Sequence, residues 1–179
     1  MRPTIAWLTD PHLNFVGRGE IGALCESIRS SGADAVLITG DIATAEHLCW
    51  CLKHLADRIQ KPVYFVLGNH DYYGSSIQRV NFEVGGIVIS NHNLIWLSRS
   101  EVIELTPDTC LVGYEGLADG RLGDPEGSAV MLNDYYCVFR AKPTAVPARC
   151  RPAFRSDGDQ HSGGKPTTVP EQSDRLFVM

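Results

Sequence analysis

Three short runs of this sequence hold residue types that bind cations and move protons: Asp10-Pro11-His12, Gly40-Asp41 and Gly68-Asn69-His70-Asp71. Each follows directly on an apolar stretch, "IAWLT", "AVLIT" and "VYFVL". A buried strand normally ends in a turn that water can satisfy, so a carboxylate, an amide and an imidazole side by side need another explanation. Asp10 and Asp41 are 31 residues apart, and Asp41 and Asn69 are 28 apart. Each interval is close to one strand–helix–strand unit of roughly 30 residues. In a parallel sheet the carboxyl ends of neighbouring strands share one edge, where α/β folds place their ligands. The spacing therefore predicts one crevice holding two carboxylates, an amide and two imidazoles. Two adjacent carboxylates stay ionised cheaply only with a cation between them. Mixed Asp, His and Asn donors suit Mn, Fe or Zn better than Ca, which prefers all-oxygen sites. Gly40 and Gly68 let the backbone turn sharply just before the polar residues.

The elements that must position these runs alternate in type over the first hundred residues. Between the strand-like stretches lie "EIGALCESIRSSG", with Ile21, Leu24, Cys25 and Ile28 at helical spacing, and "TAEHLCWCLKHLADRIQ", with Leu48, Leu52, Leu55 and Ile59 on one face. Gly32 is a natural stop for the first helix and Thr44 a candidate N-cap for the second. Continuous apolar strands joined by such helices predict a parallel sheet covered on both faces. "YYGSSIQRVNFEV" reads as a short helix. "NLIWLS", "EVIEL" and "CLVGY" then read as short strands with a turn at Pro107-Asp108, the third being the most apolar and central. "EGLADGRLGDPEGS" reads as an acidic, Gly-rich loop. Residues 137–179 hold five of the ten prolines and show neither helical nor strand periodicity. They predict a proline-rich, poorly ordered tail after a domain of residues 1–136.

At 179 residues the chain has room for one domain with a sizeable core. Its 44% hydrophobic and 21% charged residues are ordinary for a globular protein. No apolar run approaches the roughly 20 residues that span a bilayer. The N-terminus, "MRPTIAWLTD", enters a strand almost at once, which predicts a cytoplasmic protein with no membrane partner. The six cysteines form no Cys-x-x-Cys pair and fall mostly in apolar patterns, so reduced, buried thiols are expected. The net charge of −5 is uneven: residues 1–136 hold 9 Lys+Arg against 17 Asp+Glu, and residues 137–179 hold 7 against 4. An acidic body offers no footprint for a nucleic-acid backbone.

The three polar runs, in this order and each after an apolar strand, resemble the calcineurin-like metallophosphoesterase superfamily over roughly residues 4–136. The resemblance implies an α/β fold, a layered β-sheet with flanking helices, incomplete at the C-terminus. It implies two divalent metal ions, with Mn, Fe or Zn expected. Asp10 and His12 would hold the first, Asp41 would bridge both, and Asn69 would hold the second. His70 would approach the phosphate without binding metal, as proton donor or charge stabiliser, and Asp71 would orient His70. Such a metal pair, about 3.5–4 Å apart, clamps a phosphoryl group and activates water for in-line attack. The implied substrate is a small phosphomonoester or phosphodiester, or a nucleotide.

The sequence departs from the family after Asp71, where the further histidines and the closing strands of the family pattern are not found. It has no Gly-His-x-His, and after Asp71 its only histidines are His92 and His161. The second metal would then keep only Asp41 and Asn69, and weak occupancy with impaired activity is expected. The rival expectation is a catalytically inactive, truncated member acting as a binding or scaffold module. Outside the three runs, His47 and His54 read as solvated helix residues, and Asp119, Arg121 and Asp124 as a solvated loop.

Overall fold

Apolar runs of three to five residues, too short for stable helices, pair into a four-stranded sheet. The computed structural model describes residues 3–115, 133–138 and 176–178. Strands β1 (Ile5–Leu8), β2 (Ala35–Thr39), β3 (Val63–Val66) and β4 (Leu94–Trp96) stand in that order, each parallel to the next. Leu8, Ile38, Phe65 and Trp96 form one cross-strand row. The strands therefore finish level, and the residues that follow β1, β2 and β3 emerge along one edge, as the intervals predict.

One face of the sheet is covered by α1 (Arg18–Ser30), α2 (Ala45–Ile59) and α3 (Ile77–Ser90). Ile21, Cys25 and Ile28 of α1 recur at helical spacing, as do Leu48, Leu52, Leu55 and Ile59 of α2. They pack with Val36, Ile38, Val63 and Phe65 into the larger core. Burying a side chain such as Phe65, fully excluded from solvent, contributes about 1.5–3 kcal/mol. Leu37, pointing the opposite way from Val36 and Ile38, meets Val66, Leu97 and Leu111 in a second, smaller core. That core is closed by another sheet, β5 (Ile103–Thr106), β6 (Thr109–Val112) and β7 (Leu176–Val178), with β6 central. Among the described residues the layers are thus helices, parallel sheet, small mixed sheet.

Several expectations are refined. Helix α3 extends to Ser90, across Gly85 and Gly86. It is begun by Ser76, whose hydroxyl accepts from the Arg79 N–H, and anchored by buried Val80 and Val84. "NLIWLS" supplies β4, which joins the parallel sheet rather than the small one. Thr44 does occupy the N-cap of α2, but its hydroxyl meets the His47 ring at 3.2 Å instead of a backbone N–H. His54 is half-buried and stacked on Trp50 at 4.7 Å. Cys25, Cys49, Cys51, Cys110 and Cys137 are free; Cys150 lies outside the described residues. Val138 is buried in the larger core, and Leu176–Val178 pairs in parallel with β6. The remainder of 137–179, with His161, lies outside the described residues, as do Asp119, Arg121 and Asp124.

Gly113 sits where the two sheets touch. A Cβ there would collide with Leu97 Cβ and lie 2.7 Å from Val66 Cγ1. Gly113→Ala should therefore cost about 1–3 kcal/mol through overpacking. Urea unfolding checks this, and an unchanged midpoint would mean the sheets part without penalty.

Candidate metal centre

The turns that leave β1, β2 and β3 are forced into unusual backbone. Asp10, His12 and Asp41 all adopt left-handed conformations, with φ of 46°, 43° and 49°. For non-glycine residues this costs roughly 1–2 kcal/mol each, so surrounding contacts must hold them there. Two backbone bonds do so: the His12 N–H donates to the Asp41 carbonyl at 3.0 Å, and the Leu13 N–H to that of Ile42 at 2.7 Å. Gly40, at φ +93°, backs onto Gly68, and Asp41 packs so tightly on Gly68 that a Cβ there would collide with Asp41 Oδ1. Glycine at 68 is needed for space, which is a different reason from the sharp turn expected of it.

These turns bring His12, Asp41 and His70 together. One donor atom from each lies within 4.8 Å of the other two. His12 Nε2 stands 3.9 Å from Asp41 Oδ2, and the His12 and His70 rings meet edge-on at 4.8 Å. The His70 backbone N–H donates to Asp41 Oδ1 at 3.1 Å, which ties the third turn to the second. A cation bound at about 2.0–2.2 Å draws its donors to within roughly 4.4 Å of one another, so a small side-chain rotation closes the set. Two imidazoles and a carboxylate, all half-buried, fit a borderline divalent ion.

The other expected site residues are placed as follows. Asp10 is exposed, its carboxylate accepts from the Thr9 hydroxyl at 2.7 Å, and it stands outside the three-residue cluster. Asn69 turns its amide N–H₂ toward Asp134 Oδ1 at 2.7 Å and the Tyr73 hydroxyl at 3.1 Å. His70, expected to stand clear of the metal, has a ring within chelating range and stacked on Tyr73 at 4.3 Å. His92 is exposed just before β4, at the amino edge of the sheet and away from the cluster.

Asp71 is fully buried, and its carboxylate faces backbone rather than His70. Oδ1 accepts from the Ala43 N–H at 2.9 Å and Oδ2 from the Gly68 N–H at 2.8 Å. Burial raises this carboxyl to about 7; the Ala43 and Gly68 bonds oppose the rise, and nearby Asp41 adds to it. Asp71 thus braces the two turns that flank the cluster.

Sequence reasoning missed Asp134 and Tyr73. Asp134 opens the short helix α4 (Asp134–Cys137) and accepts from both Asn69 and the Tyr73 hydroxyl, the latter at 2.8 Å. Burial, followed by the bond to Asp134, pushes the Tyr73 hydroxyl up to about 12. The Gly74 N–H donates to the Cys137 carbonyl, which docks α4 beside the third turn. No local pattern marks Asp134; it lies 65 residues from its partner Asn69.

Comparison with known proteins agrees with this architecture. A family model described as calcineurin-like phosphoesterase matches residues 3–163. Two solved structures are similar. One is phosphopantetheinyl hydrolase from Mycobacterium tuberculosis, at 19% identity and a TM-score of 0.56, covering 83% of this chain and 58% of that one. The other is TT1561 of Thermus thermophilus, at 12% identity and a TM-score of 0.50, covering 69% of this chain and 54% of that one. At these identities the likeness is one of fold, and the chain spans a little over half the length of each. No curated protein matches it.

Asp71→Asn places an N–H₂ against one of two backbone donors. It should cost about 1–3 kcal/mol in urea unfolding while the far-ultraviolet circular dichroism stays unchanged. A loss under about 0.5 kcal/mol, the range of ordinary surface substitutions, would remove Asp71 from this bracing role.

Proposed function

Because this chain belongs to the calcineurin-like phosphoesterase family, we propose that it is a metal-dependent phosphoesterase acting on a small phosphate ester or nucleotide. The observation that carries the reading is the convergence of His12, Asp41 and His70 at the carboxyl edge of the parallel sheet. In this reading Asp10, His12 and Asp41 hold one divalent ion, and Asp41 with Asn69 holds a second, weaker one. Mn, Fe and Zn match the mixed nitrogen and oxygen donors. A bound ion supplies charge that polarises a phosphoryl oxygen and acidifies water.

The chain's own residues supply the rest. Asp41 lies between the first and third turns and provides the negative charge that makes cation binding favourable. Asn69 is oriented by Asp134, which leaves its amide oxygen free to act as a donor atom. His70 carries the proton for the departing alkoxide. Its ring is held by stacking on Tyr73, and its backbone is held by Asp41. The acidic body leaves few cations to attract a polyanion, which favours a small substrate over a nucleic acid.

A second reading has its own support. The sequence has no Gly-His-x-His. In that reading it is an inactive binding module. Metal analysis with hydrolysis of p-nitrophenyl phosphate and its bis-ester in Mn²⁺ separates the two: neither metal nor turnover is the module's result.

For the enzyme, Asp41→Asn should abolish turnover and metal retention together, read by metal content and rate. His70→Ala should lower turnover about 10²–10⁴-fold with metal content unchanged. Metal loss in that variant would instead make His70 a ligand.

A further inference from the structure

We infer that Glu115 is a positioning residue for the turn that carries Asn69 and His70. The sequence reads Glu115 as the first residue of an acidic loop, and in the fold it follows β6 and Gly113 on the far sheet. Its half-buried side chain reaches across to three donors on three separate elements. Oε1 accepts from the Leu67 N–H at 3.0 Å and from the Trp96 indole N–H. Oε2 accepts from the Tyr72 hydroxyl at 3.2 Å.

The placement of these donors gives the carboxylate its leverage. Leu67 is the last residue before Gly68, and Tyr72 closes the 3₁₀ turn that contains His70. The turn from 68 to 71 is therefore held at both ends by one side chain. Trp96, at the end of β4, fixes the carboxylate itself, and the Arg99 guanidinium lies over that indole at 5.3 Å from the ring centre. Leu67 is buried, and truncating Glu115 takes away the acceptor of its N–H. The Tyr72 hydroxyl, donating to Glu115 Oε2, ties the end of the turn to the same carboxylate. Its other partner, Asn81 Oδ1, is farther away at 3.4 Å.

A carboxylate suits this position because it accepts at both oxygens. Glutamine keeps one acceptor for the Leu67 and Trp96 donors, and its N–H₂ can donate to the Tyr72 oxygen. Alanine takes the acceptor from the Leu67 and Trp96 donors and leaves the Tyr72 hydroxyl with only the longer bond to Asn81. The order of effect is thus Glu115→Ala above Glu115→Gln, which a lost charge alone would not produce.

The consequence for metal binding rests on the phosphoesterase reading above; the positioning role does not. The test is amide hydrogen exchange across residues 67–72 of the metal-free chain, followed by Mn²⁺ titration. Ile28→Ala, in the α1 core and remote from the turn, controls for general destabilisation. Glu115→Ala should speed exchange across 67–72 about tenfold more than Ile28→Ala does and weaken Mn²⁺ binding about 10–100-fold. Glu115→Gln should fall between wild type and alanine, and carries the test if the alanine variant does not fold. Exchange across 67–72 no faster than in Ile28→Ala, or for glutamine no faster than wild type when alanine is unfolded, overturns the inference. A wild-type chain that takes up no Mn²⁺ overturns the phosphoesterase reading instead, while the exchange data still judge Glu115.

Discussion

The contact on which the site depends is that of Asp41 with Gly68. It sets the distance between the turns after β2 and β3 at backbone contact, with no room for even one carbon. The Asp41 carboxylate thereby comes within reach of the His70 N–H on one side and the His12 ring on the other. Pairing of His12 and Leu13 with the carbonyls of Asp41 and Ile42 then draws in the first turn. Three elements distant in sequence are locked by a few backbone bonds and a missing side chain. Such close packing is typical of interiors, but here it lies at an edge that water can reach.

This arrangement has an energetic cost that the rest of the fold offsets. Three residues of the cluster region sit in left-handed backbone, and a carboxylate is buried beside them. Neither is stable in isolation. Both persist because level strand ends, two apolar cores and the Asp71 bonds to Ala43 and Gly68 over-determine the turns. Strain of this kind preorganises donors for a charged ligand, since little rearrangement is left when it arrives.

Much of this was legible in the sequence, for a physical reason. Strands buried on both faces are continuous apolar runs, so "AVLIT" and "VYFVL" announce themselves, and a polar run directly after each has only one place to go. Helices α1 and α2 declare their buried faces by periodicity. What stayed hidden is tertiary. The small sheet covering Leu37 and Val66 could not be read from strands that also suited a simple meander. The full length of α3 was masked by Gly85-Gly86, where tertiary packing of Val80 and Val84 outweighs low helix propensity. Asp134, Tyr73 and Glu115 act across 4 to 65 residues of sequence, and nothing local distinguishes them from solvated polar groups. Asp71 was recognised as part of the motif, but its burial and its backbone partners were visible only in the fold.

The buried thiols give the chain a built-in reporter of its own opening. Cys25 and Cys51 face the main core, and burial pushes the Cys51 thiol up to about 11. At neutral pH its reactive thiolate is far scarcer in the closed molecule than in the opened chain, where a free thiol is a few per cent ionised. A maleimide pulse would therefore label these positions at the frequency with which α1 and α2 lift from the sheet. Read at Cys25 and Cys51 alone, apart from the half-buried Cys49, Cys110 and Cys137, such labelling times the breathing of the layer beneath the cluster without altering a residue.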